Sequence, residues 1–207
     1  GEAEIAGLSY GYMFPIARRL SLEAGLGLGY LHSKYEEYEP VPHMGGTHYV
    51  YLQTKRVDYF GPLKLKLALV SGADTPAETS PVTSPKASGK LREALAQNLV
   101  IKTNLLYDAL LMPSLEAEYR FNDRWTVNLE GEIAWWKNDG KHKYYQLATI
   151  SPEVRWWFGQ QKNNPWHGHY LGLFGGFSWF DLENKENGYQ GEAEIAGLSY
   201  GYMFPIA

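Results

Sequence analysis

Residues 20–34 alternate without a break. Leu20, Leu22, Ala24, Leu26, Leu28 and Tyr30 fall on one side of a two-residue period, and Ser21, Glu23, Gly25, Gly27 and Gly29 on the other. A helix would scatter these residues around its axis and would lose about 1 kcal/mol at each glycine. A strand sorts them onto two faces, one apolar and one nearly bare of side chains. A face made of glycine suits the inner wall of a narrow barrel, where space is short. The same period returns in Leu63-Lys64-Leu65-Lys66-Leu67-Ala68-Leu69, with lysines in place of the glycines.

The heptadecapeptide GEAEIAGLSYGYMFPIA occurs twice, at residues 1–17 and again at 191–207. It too alternates, with Leu198, Tyr200, Tyr202 and Phe204 of the second copy opposed to Gly197, Ser199, Gly201 and Met203. A tandem array, a circular permutation that duplicates one strand, or an artefact of joining repeated sequence would each produce it. All three imply a natural order in which residues 91–207 precede 18–70. Further period-two segments cover 47–70, 100–109, 114–121, 125–136, 146–158 and 169–181, so the unique strands number eight. Pro152 implies a bulge or local break in its strand. Residues 15–19, 122–124 and 159–166 read as turns, and 35–46, 137–143 and 182–190 as polar loops. Residues 91–99 form a short helix or a lead-in to the next strand.

The expected fold is therefore all-β: an up-and-down antiparallel barrel of eight unique strands plus one duplicated strand. Residues 1–70 supply the strands that end the natural order, 91–207 those that begin it, and together they build one barrel. Between them, 71–90 hold Pro, Ser, Thr and Ala with no aromatic residue, the composition of a disordered linker.

The two faces carry different chemistry. Glu23, Lys64, Lys66, Glu116, Glu118, Arg120, Glu130, Glu132, Glu153 and Arg155 collect on one, and Leu, Val, Ile and aromatic residues on the other. A soluble cup would need its apolar face inside. Trp125, Trp135, Trp156, Tyr119 and Tyr200 instead bracket the apolar residues as aromatic girdles bracket a lipid-facing band. The sequence thus points to charges paired inside the lumen and a lipid bilayer as the outer partner. The chain's 16 Tyr, 7 Trp, 8 Phe and 22 Gly fit strands and tight turns. A formal charge of −4 gives no support to nucleic-acid binding, and the absence of Cys removes disulfides and thiolate metal sites.

Ile101-Lys102-Thr103-Asn104-Leu105-Leu106-Tyr107-Asp108-Ala109, followed by Pro113 and Leu115-Glu116-Ala117-Glu118-Tyr119, resembles the start of a Bacteroidetes family of small outer-membrane barrels of unknown function. Its members are often found beside fimbrial assembly genes. The likeness continues through 125–158, 170–180 and 20–30. It implies an eight-stranded barrel in the Gram-negative outer membrane and carries over no catalytic residues.

Candidate chemistry is sparse. His167-Gly168-His169 has chelating spacing but sits beside a turn. His32, His43 and His48 surround the 35–46 loop and could meet there. Gly197-Leu198-Ser199-Tyr200-Gly201 has the letters of a nucleophile elbow, yet lies mid-strand. Glu116/Glu118 and Glu130/Glu132 could suggest acid–base work, which a lumenal charge network explains more simply. We expect no enzyme, no cofactor and no metal, and a structural or surface-interaction role through the loops, the partner being a surface or fimbrial protein. The spare strand could also exchange between chains. A soluble ligand-binding barrel and an outer-membrane lipid hydrolase are the alternatives.

Overall fold

A computed structural model describes residues 20–43, 46–72, 98–138, 143–158, 166–184 and 187–205. Its elements are β1 (Leu20–His43), β2 (Gly46–Gly72), β3 (Leu99–Asn104), the short helix α1 (Leu105–Ala109), β4 (Ser114–Arg120), β5 (Trp125–Asn138), β6 (Lys143–Trp157), β7 (Gly168–Asn184) and β8 (Asn187–Pro205). The eight strands form one closed ring in sequence order, with β8 hydrogen-bonded back to β1. Each neighbouring pair is antiparallel. The up-and-down barrel is thus present, and the second copy of the repeat fills the slot between β1 and β7. The first copy lies outside the described residues, as does the linker apart from Ser71 and Gly72, which end β2.

Alternation decides which way each side chain points. On β1, Glu23 is buried while Leu26, Leu28 and Tyr30 are exposed. On β8, Ser199 and Met203 are buried while Leu198 and Tyr200 are exposed. The outward residues stay apolar along 22–30 of β1, 125–135 of β5, 171–179 of β7 and 196–204 of β8, then change to charged or polar ones at His32, Lys137, Asp181 and Glu194. Each apolar run is about 9–11 residues, the length a tilted strand needs to cross a hydrocarbon core.

Two expectations change. The described parts of 35–46, 137–143 and 182–190 are strand, while 44–45, 139–142 and 185–186 lie outside the described residues: β1 pairs with β2 up to His43 and Gly46, β5 with β6 up to Asn138 and Lys143, and β7 with β8 up to Asn184 and Asn187. Most of their side chains are exposed or half-buried, Tyr38 and Glu183 excepted, and backbone pairing does not need an apolar face. Residues 105–109 are helix and not the end of a strand. Asn104 caps that turn by accepting from the Leu106 amide at 3.3 Å, and its amide group donates to the Leu65 carbonyl at 3.1 Å. Of the two outcomes expected at Pro152 the local break is found: the ladder to β7 is interrupted there, while register against Leu129 holds without a bulge. The register shifts lie instead in the β1–β2 pair, at Gly27/Leu28 and Glu37/Tyr38.

Because β3 and β4 are short, the ring is uneven in height. β2 pairs with β3 only from Ala68 onward, and β4 reaches only to Glu132 of β5. Beyond those points the described strands continue as a six-stranded rim in the order β2-β1-β8-β7-β6-β5.

Gly29 and Gly197 face each other across β1 and β8. A Cβ on Gly29 would fall 2.3 Å from the Ala196 oxygen, and one on Gly197 would fall 2.7 Å from the Phe174 ring. Gly131, on the outer wall, has nothing nearer than 3.9 Å. Gly29→Ala should therefore cost about 1–3 kcal/mol by overpacking, while Gly131→Ala should stay within about 0.5 kcal/mol. Urea unfolding of the refolded barrel measures both.

Candidate functional site: a charged lumen and a tyrosine-lined rim

The inward side chains of β1 to β6 meet in the lumen as a layer of charge. Arg155 of β6 is its centre, placed by alternation between the inward Glu153 and Trp157. Its guanidinium lies 2.7 Å from Glu118, 3.0 Å from Glu23, 3.0 Å from Glu153 and 3.7 Å from Glu116. Lys66 reaches Glu116 at 2.6 Å and Glu130 at 3.5 Å, and Lys64 reaches Glu130 at 2.9 Å and Glu153 at 3.5 Å. Lys102 sits between Glu23 and Glu118.

Neutral donors complete the shells of these carboxylates. Tyr170 donates to Glu23 at 2.5 Å and Asn128 to Glu116 at 2.8 Å, while Thr126 donates to Glu118 and Ser199 to Glu153. The Trp157 indole in turn donates to Thr126 at 3.0 Å. Buried charge is tolerated only when it is paired and its remaining hydrogen-bonding capacity is met. Below this layer Val70, Val100, Trp157, Trp166, Tyr170 and Met203 form an apolar plug. Arg155 lies 4.4 Å from the Tyr170 ring centroid and Arg120 lies 4.2 Å from that of Trp166, so cations cap the plug through ring faces.

Of the ten charged residues named from sequence, eight sit in this layer. Arg120 is buried nearer the plug, and Glu132 is half-buried on the same face of β5 with no ion pair among the described residues. Sequence reasoning missed Lys102, Asn128 and Tyr170. Lys102 was visible as the inward partner of Val100 and Asn104, but a strand of six residues shows too little alternation to assign its face.

The other candidates disperse. His169 bonds the Tyr200 hydroxyl at 2.6 Å and His167 packs edge-on to Tyr202, so both imidazoles lie among tyrosines. No group of three or more His, Cys, Asp or Glu able to hold a metal occurs among the described residues. His32 pairs with Asp58 at 2.8 Å, whereas His48 faces Val41, so these two histidines do not meet. The two levels lie roughly 30 Å apart along the strand. Ser199 is mid-strand and bound to Glu153, with the Gly197–Gly201 letters spread along β8 and no turn into a helix.

Above the apolar band a second grouping appears on the outer face. Beyond Trp179 on the same face of β7 come Asp181 and Glu183, and across the rim Tyr38, Tyr49, Tyr51, Tyr144 and Lys137 join them around a hollow of about 330 Å³. Tyr38 lies over Gly188 and donates to Asp181 at 2.6 Å. Burial, that hydrogen bond and the charges of Asp181 and Glu183 push its pKa well up, so the phenol stays protonated. On the opposite face, hydrogen bonds from Lys55 at 2.7 Å and Gln53 at 2.8 Å hold the Glu37 carboxyl below the usual range.

Arg155→Met should destabilise the barrel by about 3–5 kcal/mol, because it strands several buried carboxylates. Adding Glu118→Gln should recover part of that loss, read by urea unfolding of the single and double variants. Strictly additive losses would contradict a shared network.

Comparison with known proteins assigns the family. The family described as "Protein of unknown function (DUF3575)" matches residues 1–71 and 85–207, and the chain belongs to it. No curated protein matches. Among solved structures, the outer membrane protease OmpT from Escherichia coli is similar at 9% identity with a TM-score of 0.40, covering 89% of this chain and 97% of that one. OccK7 (OpdD) from Pseudomonas aeruginosa follows at 8% identity and a TM-score of 0.11, covering 92% and 100%. Likenesses this faint say nothing about activity.

Proposed function

We propose that this member of the DUF3575 family is a small outer-membrane barrel of Gram-negative bacteria with a structural or surface-interaction role and no catalytic one. The observation that carries this is the inversion of the usual soluble pattern: a lumen of buried, cross-paired charges inside a wall whose exposed residues are Leu26, Leu28, Leu65, Leu129, Ile150, Leu173 and Leu198. In water such a wall would be a large exposed apolar surface. In a bilayer it is the lipid-facing band, and the tryptophans at its ends, Trp125 and Trp135 on β5, fall at the interfaces. An eight-stranded barrel has room inside for side chains alone, so the paired lumen is a plug and not a channel.

The soluble-cup alternative needs an apolar interior, and the lumen is charged. The hydrolase alternative needs a serine beside a histidine, and Ser199 is bound to Glu153. Membership of a Bacteroidetes lineage with fimbrial neighbours fits the resemblance read from the sequence. A permuted natural order fits the ring, since β8 closes on β1 and cutting the circle between β2 and β3 yields the same barrel. A spare copy of β8 then competes for an occupied slot, which favours exchange between chains through that strand.

Leu129→Arg, near the middle of the band, should cost about 2–4 kcal/mol when the barrel unfolds from a bilayer. The same substitution at the exposed Glu36, beyond the band, should be near neutral. Equal small effects at both positions would contradict the membrane setting.

A further inference from the structure

The tyrosine-lined hollow on the outer face of the rim has no role in closing the barrel. It lies beyond the ion-pair layer and is built by strands that pair fully without it. Its lining combines two features. Tyr38, Tyr51 and Tyr144 present aromatic surface, with Tyr38 and Tyr51 meeting at 6.0 Å between ring centroids. Asp181 and Glu183 place two carboxylates on alternate residues of one strand, opposed by one cation, Lys137. Aromatic walls with a carboxylate at hand recognise cations, since ring faces attract positive charge and a carboxylate supplies a charge-assisted acceptor. The protein already shows that preference: the Lys137 ammonium lies 5.5 Å from the Tyr144 ring centroid. The Tyr38 hydroxyl donates to Asp181 and so holds that carboxylate in place in the lining of the hollow.

We propose that this hollow binds an alkylammonium group. The inference rests on the surface-interaction role proposed above and names the chemistry of the partner. Its source is the amine of a phospholipid headgroup, because the hollow follows directly on the apolar run that ends at Trp179.

The test uses the full chain refolded in polyoxyethylene micelles, with tyrosine fluorescence as the readout. It is titrated with Nα-acetyl-L-lysine N-methylamide, its neutral norleucine analogue, dihexanoyl phosphatidylethanolamine and dihexanoyl phosphatidylglycerol. Saturable binding of an amine, with none of the norleucine analogue, is expected. Phosphatidylethanolamine should bind better than both the lysine amide and phosphatidylglycerol; the reverse order of the two amines would assign the hollow to a protein side chain and overturn the headgroup. Glu183→Gln and Asp181→Asn should each weaken binding about tenfold. Tyr51→Leu, at an exposed position that folding does not need, should weaken it severalfold and decides the matter if the carboxylate variants misfold. Absence of saturable amine binding, equal binding of the norleucine analogue, or binding indifferent to all three substitutions would overturn the proposal. A chain that folds only without detergent would contradict the membrane setting, and the lysine titration in plain buffer would still decide the hollow.

Discussion

The contact on which the rest of this barrel depends is Arg155 with its four glutamates. Five buried carboxylates, Glu23, Glu116, Glu118, Glu130 and Glu153, share four cations, Lys64, Lys66, Lys102 and Arg155. Their side chains come from β1, β2, β3, β4, β5 and β6, so the layer ties most of the circumference together through its centre. No single pair could do so, since each isolated buried ion would cost more in desolvation than one partner returns. Cross-sharing, with Arg155 bonded to several carboxylates and hydroxyls filling the rest, makes the layer tolerable. It also fixes register, because a one-residue slip of any strand would turn its glutamate or lysine out to the apolar face.

Glycine performs the complementary task. Where β1 meets β8 the lumen has no width to spare, and Gly29 and Gly197 let two backbones and the Phe174 ring approach at a distance that a methyl group would prevent. The alternation of leucine with glycine in β1 and of leucine with lysine in β2 are two answers to one constraint. A narrow lumen admits either nothing or a charge that can be neutralised at once.

Much of this was legible in the chain. Strand number, the inward face of Glu116, Glu118, Glu130 and Glu153, and the slot of the repeated strand all follow from a two-residue period applied to long segments. What stayed hidden lies where that period carries no information. The rim strands of 35–46 and 182–190 are polar on both faces, so pairing that rests on backbone hydrogen bonds looks like loop. Helix α1 interrupts an apolar run, Leu105-Leu106, whose conformation is set by the Asn104 cap and not by hydrophobicity. The hollow under Tyr38 joins residues from six strands, Tyr38, Tyr51, Lys137, Tyr144, Asp181 and Gln190, and only the register that aligns Tyr38 with Gly188 brings them together.

The central claim is that this barrel is apolar outside and charged inside because its outer wall meets lipid. Tryptophan quenching by lipids with brominated acyl chains tests it most directly. Trp125 and Trp135 lie on the outer wall, whereas Trp157 is wholly buried in the lumen. In single-tryptophan variants reconstituted into such vesicles, Trp125 and Trp135 should be quenched and Trp157 should keep its emission. Quenching of Trp157 with Trp135 unaffected, or no quenching at any of the three, would contradict the account.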